Sequence, residues 1–188
     1  FEKFMHIKAR FNDLEPDAAV LVATVRAVKS HGGIPTKELD TPNEDAVRIG
    51  MENLTHLIGV VKAFGLPVVV AINHFPTDTE AEKAIVKRSC EEAGAFAAVE
   101  SRVFEEGGAG AIELAEALIK ATEGPSPNIK YLYPIGASIQ DKVLALAQTV
   151  YNANDVSWNQ SALRTLRGYE ANGWGTFPVC MAKTNFSI

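Results

Sequence analysis

Cysteine is scarce in this 188-residue chain: there are two, Cys90 and Cys180, far apart in sequence. Neither belongs to a CxxC pair or a Cys/His cluster, so the spacing points to free thiols in a reducing cytosol rather than to a zinc site. Long hydrophobic runs are missing as well. No apolar stretch approaches the ~20 residues needed to cross a bilayer, and "LVATVRAVK" is short and ends in charges. Positive charge is not in excess. A net charge of -5 argues against a broad nucleic-acid surface, while leaving room for a local basic pocket around a phosphate. The Walker A pattern G-x-x-x-x-G-K-[ST] occurs nowhere. There is no internal repeat, no low-complexity stretch, no signal peptide and no initiator methionine. "FEKFMHIKARF" at one end and "CMAKTNFSI" at the other suggest a piece of something longer.

What is present suits a cytoplasmic protein folded as one domain. Hydrophobic residues make up 47% and charged residues 22%, enough for a sizeable core with an ordinary surface. "AAVLVATV" (18–25) and "PVVVAI" (67–72) are apolar and β-branched, as strands buried on both faces must be. "AFAAVESRVF" (95–104) is a weaker strand. Val47, Met51, Leu54, Ile58 and Val61 alternate steps of four and three, which predicts a helix over 43–64, ended by Gly65. Thr79 and Glu82 form a capping box for a helix over 79–93, with Gly94 after it. A helix over 111–122 carries Ile112, Ala115, Leu118 and Ile119 on one face. Ser138 and Asp141 cap another, running to Tyr151, with Val143, Leu146, Ala147 and Val150 as its buried stripe. A last helix spans 159–171. "YLYPI" is at most a short strand, and "FPVCM" (177–181) reads as a final buried one. Strands alternating with helices imply an α/β fold, a doubly wound and mainly parallel sheet with helices on both faces.

Ligands of such sheets bind at the carboxyl ends of the strands. Three loops are predicted there: "RAVKSHGG", "NHFPTDTE" and "FEEGGAGA". The second resembles the Asn-Lys-x-Asp motif of guanine-nucleotide proteins in Asn73 alone. His74 replaces the lysine and Pro76 the base-reading aspartate, which disfavours GTP. Pro76 fixes its own φ and holds Phe75 extended, a rigidity that suits a platform for a flat ligand. The alternative is that Phe75 folds back into the core. Arg26 and Lys29, three apart near a strand end, are candidates for a phosphate or carboxylate, or else solvated charges. Phe104 precedes the glycine-rich turn. Either it belongs to the core, or it faces Phe75 across a planar heterocycle.

Together, "PDAAVLVATVRAVKSHGG", "NLTHLIGVVKAFGLPVVVAINHFPTDTEAE", "GGAGAIELAEA" and "GWGTFPVCMAKT" closely resemble the formate–tetrahydrofolate ligases. The resemblance runs through nearly the whole chain. It implies the middle portion of a longer enzyme, P-loop-like in architecture but without the P-loop, which lies upstream. Residues 1–17 and 182–188 would join this portion to the ATP-binding part. The implied reaction joins formate to tetrahydrofolate at the expense of ATP with Mg²⁺, through formyl phosphate, in a homo-oligomeric parent with no covalently bound group and no nucleic-acid or membrane partner. The family stacks the pterin between a Phe-Pro pair and a tryptophan. The pair falls on Phe75 and Pro76. The tryptophan of the family's "VWAKGG" falls on Phe104, and its lysine on Glu106. Arg26 and Lys29 lie in the family's "VRA.K" turn near the phosphate region. The rival reading is a non-catalytic α/β module that binds folate or a partner.

Overall fold

Val68 to Ile72 contains no polar side chain, so as a strand it has to be covered on both faces. In the computed structural model, which describes residues 1–181, strands β1 (Ala19–Ala23), β2 (Val68–Asn73) and β3 (Ala97–Ser101) form a parallel sheet with β2 in the middle. Every β2 residue except Asn73 is buried. Ala23 pairs with Ile72, and Asn73 with Ser101, so the three strands end nearly flush. Their exits therefore open on one edge of the sheet.

Helices α1 (Val25–His31), α2 (Glu44–Ala63), α3 (Glu80–Glu92), α4 (Val103–Glu106), α5 (Ile112–Thr122), α6 (Ile139–Val150) and α7 (Gln160–Ala171) complete the framework. The apolar stripe read for α2 is buried throughout. The Asn43 side chain accepts the Ala46 N–H at its start, and Gly65 follows it with φ 86°. α3 carries the expected capping box, and Gly94 follows with φ 84°. No helix among the described residues is long and apolar enough to cross a membrane.

Several expectations are corrected. "RAVKSHGG" is not a loop: its first residues form α1, whose N-cap Thr24 accepts the Ala27 N–H. The first of the two glycines after it, Gly32, serves packing. A Cβ on Gly32 would lie 2.0 Å from the Ala46 carbonyl oxygen, and one on Gly50 would lie 1.8 Å from that of Val28. These two glycines let α1 and α2 cross with their backbones in contact. The third strand stops at Ser101, so Phe104 stands on α4 rather than at a strand end. On α5 the face is rotated. Ile112 and Ile119 are 56% and 58% exposed, while Ala121 is buried.

The described residues divide into two compact units, one of residues 16–128 and one of residues 1–15 with 129 onward. The sheet belongs to the first. In the second, neither "YLYPI" nor "FPVCM" is a strand. Three backbone groups of "FPVCM" are taken by side chains instead. The Tyr133 hydroxyl donates to the Val179 carbonyl and accepts from its N–H, and the fully buried Lys142 ammonium donates to the carbonyls of Gly175 and Phe177. A ladder partner would have nothing left to bond at those points. Phe4–Ala9 coil as a π-helical turn. Residues 182–188, expected to join an ATP-binding part, lie outside the described residues.

Candidate functional site

The chain leaves β2 at Asn73, and the His74 N–H still donates to the Ser101 carbonyl, 3.0 Å away. The next four residues make a tight turn. The Asp78 N–H donates to the Phe75 carbonyl at 2.9 Å, and the Asp78 carboxylate accepts the Phe75 N–H at 3.0 Å. Pro76 occupies the second position, where its fixed φ favours the turn. Phe75 is thus clamped from both sides of its own peptide while its ring stays 38% exposed. The Arg26 guanidinium lies over that ring, 5.5 Å from its centroid, and is itself paired with Asp40.

β3 ends in Ser101, and α4 follows as a single turn. Phe104 projects from it 99% exposed. Asn73, His74, Phe75 and Pro76 from the β2 exit, with Ser101, Val103, Phe104 and Glu105 from the β3 exit, line one cleft of about 470 Å³. That is within the range of small-ligand sites. Two aromatic side chains 29 residues apart in sequence thus meet on one cavity at the carboxyl edge of the sheet.

The remaining cations are arranged differently. Lys29 is fully buried, with its ammonium 3.0 Å from Glu82 and donating to the Thr41 carbonyl at 3.2 Å. It stays apart from the cleft lining. Burial alone would raise the Glu82 carboxyl. The N–H groups of Asn43 and Thr79, the Lys29 ammonium and the Thr79 hydroxyl together hold it below its ordinary value. At Asp78 the balance goes the other way: desolvation raises the carboxyl despite the Phe75 N–H and the nearby His74 and Lys29. Beside the cleft, Glu100 is kept low, against its desolvation, by Lys83 and Arg102, which contact it at 2.8 and 2.7 Å. Glu106 pairs with Arg102 at 3.5 Å.

Sequence reasoning did not single out His74 or Asp78 as working parts of this edge. The signal for Asp78 was its place two residues after Pro76, where a short acid closes a turn. No group of three His, Cys, Asp or Glu among the described residues is placed to hold a metal ion.

The profile of the family described as formate–tetrahydrofolate ligase matches residues 1–188. Two curated proteins with that name are similar to it: one from Methylobacterium nodulans is 46% identical over 188 residues, and one from Beijerinckia indica subsp. indica is 45% identical over 187. Both alignments cover 100% of this chain and 34% of the relative, so the chain spans about a third of the length of those proteins. Matched from end to end, it belongs to the formate–tetrahydrofolate ligase family.

Proposed function

We propose that this chain is the folate-binding middle portion of a ligase that uses ATP to join formate to tetrahydrofolate, giving 10-formyltetrahydrofolate. The observation that carries this reading is the cleft whose lining includes both Phe75 and Phe104. Stacking a planar heterocycle between two rings is worth ~0.5–1.5 kcal/mol per contact beyond buried area. The clamp from Asp78 and the locked Pro76 keep one wall rigid, so little ordering is needed when the ligand enters. Arg26 covers one side of the Phe75 ring, which leaves the cleft side for the ligand.

The chemistry fits such a platform. Formate is a poor electrophile, and phosphorylation turns one of its oxygens into a leaving group. The folate N10 amine then attacks the formyl carbon, phosphate departs, and the amine loses its proton. A rigidly held pterin fixes the attacking nitrogen for this step. ATP with Mg²⁺ is assigned to a P-loop outside these residues, to which residues 1–17 and 182–188 connect. Within the chain, Arg26 is the cation best placed to turn toward a phosphate, because Asp40 and Phe75 hold it at the surface. Lys29 acts through Glu82, by fixing the start of α3 behind the Phe75 turn.

Tetrahydrofolate titrations of the full-length protein at saturating nucleotide test the reading. Phe75→Ala is expected to weaken folate binding roughly tenfold, the loss of one stacking wall and its area. Phe104→Trp restores the family residue and is expected to tighten binding, while ATP affinity stays constant in both. Unchanged folate affinity in Phe75→Ala would remove the pterin slot.

A further inference from the structure

The two walls of the cleft are held very differently. Phe75 is clamped by Asp78 at both its N–H and its carbonyl. Phe104 stands on a turn of four residues, none of them buried, followed by Gly107 at φ 59°. The local bonds of that turn run to Arg102, whose carbonyl accepts the N–H groups of Glu105 and Glu106. Arg102 also pairs with both carboxylates, at 3.8 and 3.5 Å. All of these contacts lie within one stretch of chain, so they shape the turn without fixing it against the opposite wall.

His74 makes that link. Its backbone is fastened to β3 through Ser101, and its side chain is only 10% exposed. Nε2 lies 3.8 Å from Glu105, the neighbour of Phe104, and Nδ1 lies 3.2 Å from Glu100. The Nδ1 contact is close but not aligned as a hydrogen bond. Asp78 from the turn interacts with the ring as well, and Glu100 is shared with Arg102 and Lys83. The ring thus belongs to the cleft lining, with Glu100 of β3 near one nitrogen and Glu105 of α4 near the other.

We propose that His74 is a positioning residue for folate: its imidazole, anchored at the end of β2, holds Glu105 and thereby sets how far the Phe104 wall stands from Phe75. This rests on the pterin-slot reading. The carboxylate partner is what matters, so an arginine at position 74, a permanent cation long enough to reach either acid, preserves the link, and an asparagine does not.

Two measurements on the full-length protein separate the link from the slot. The first is amide hydrogen exchange over residues 103–108 without folate. His74→Asn and Glu105→Gln are each expected to speed exchange there, and His74→Arg to leave it as in the wild type. The second is the KM for tetrahydrofolate, expected to rise roughly fivefold in His74→Asn, about the upper worth of one side-chain contact to a carboxylate. Glu105→Gln should give the same rise, and the double variant should add little to either. His74→Arg should stay near the wild-type value, and the KM for ATP should not move. Unchanged exchange in His74→Asn overturns the proposal whatever folate does. Faster exchange with an unchanged folate KM, when Phe75→Ala does weaken folate, overturns the positioning role and leaves the slot standing. If Phe75→Ala has no effect, the slot itself fails, and the exchange data still decide whether His74 holds the turn.

Discussion

Lys29 and His6 are both fully buried, for different physical reasons. Lys29 meets the Glu82 carboxylate and the Thr41 carbonyl inside the fold. His6 is buried as a flat ring, stacked on Tyr133 with centroids 4.2 Å apart and planes 13° from parallel. Desolvation, helped by the nearby Arg10 charge, lowers its pKa from 6.5 to about 4. The neutral ring is therefore the folded form. Its contribution to stability is complete above the unfolded value of 6.5 and is lost as the pH falls from there toward about 4. One such group changes stability by up to ~1.4 kcal/mol per pH unit across that window. Urea unfolding followed between pH 7 and 4 should show the decline, and His6→Phe should flatten it. An unchanged pH slope in that variant would mean that other groups carry the acid sensitivity.

At the scale of elements, the start of α3 shows both what a sequence discloses and what it hides. Thr79 and Glu82 declare a capping box by spacing alone, and the structure has it, with the Thr79 N–H 3.1 Å from the Glu82 carboxylate. The same carboxylate also accepts the Asn43 N–H, 39 residues upstream, at 2.8 Å and pairs with Lys29 at 3.0 Å. It thereby ties the N-termini of α2 and α3 to α1. Neither long-range partner is readable from local pattern, which is why Lys29 reads as a surface cation when only its neighbours are considered. Breaking a buried pair by removing one partner strands the other, at a cost of ~3–5 kcal/mol. Glu82→Gln should lower stability by that order. Lys29→Met added to it should recover part of the loss, because the stranded ammonium disappears. Chemical denaturation of the two single variants and the double variant checks this, and strict additivity would mean that the pair is not coupled. The strands were legible because runs such as Val68–Ile72 have no other way to fold. α1 was not, since seven residues with a basic end give no apolar period. "FPVCM" misled because its composition is that of a strand while its carbonyls belong to Lys142 and Tyr133.

At the scale of the whole molecule, the unit of residues 16–128 presents apolar surface that its own residues leave open. Val20 and Val22 on β1 are exposed, as are Ile112 and Ile119 on α5. Exposed apolar surface beside an unpaired edge strand calls for a cover. Relatives about three times as long offer the chain to provide it. On the proposed ligase reading, catalysis needs that chain as well. Phosphoryl transfer depends on a backbone cradle, a lysine and a metal held around the nucleotide phosphates. No Walker A loop occurs in the sequence, and among the described residues no group of three potential ligands is placed for a metal. The purified 188-residue chain, given ATP, Mg²⁺, formate and tetrahydrofolate, should therefore form no 10-formyltetrahydrofolate. The full-length protein should form it under the same conditions. Product formation by the isolated chain would show that the nucleotide is held by these residues, with Arg26 as the first cation to substitute. A full-length protein that also lacks a P-loop and stays inactive would favour the non-catalytic folate module instead, in which the Phe75 and Phe104 cleft binds without turning over.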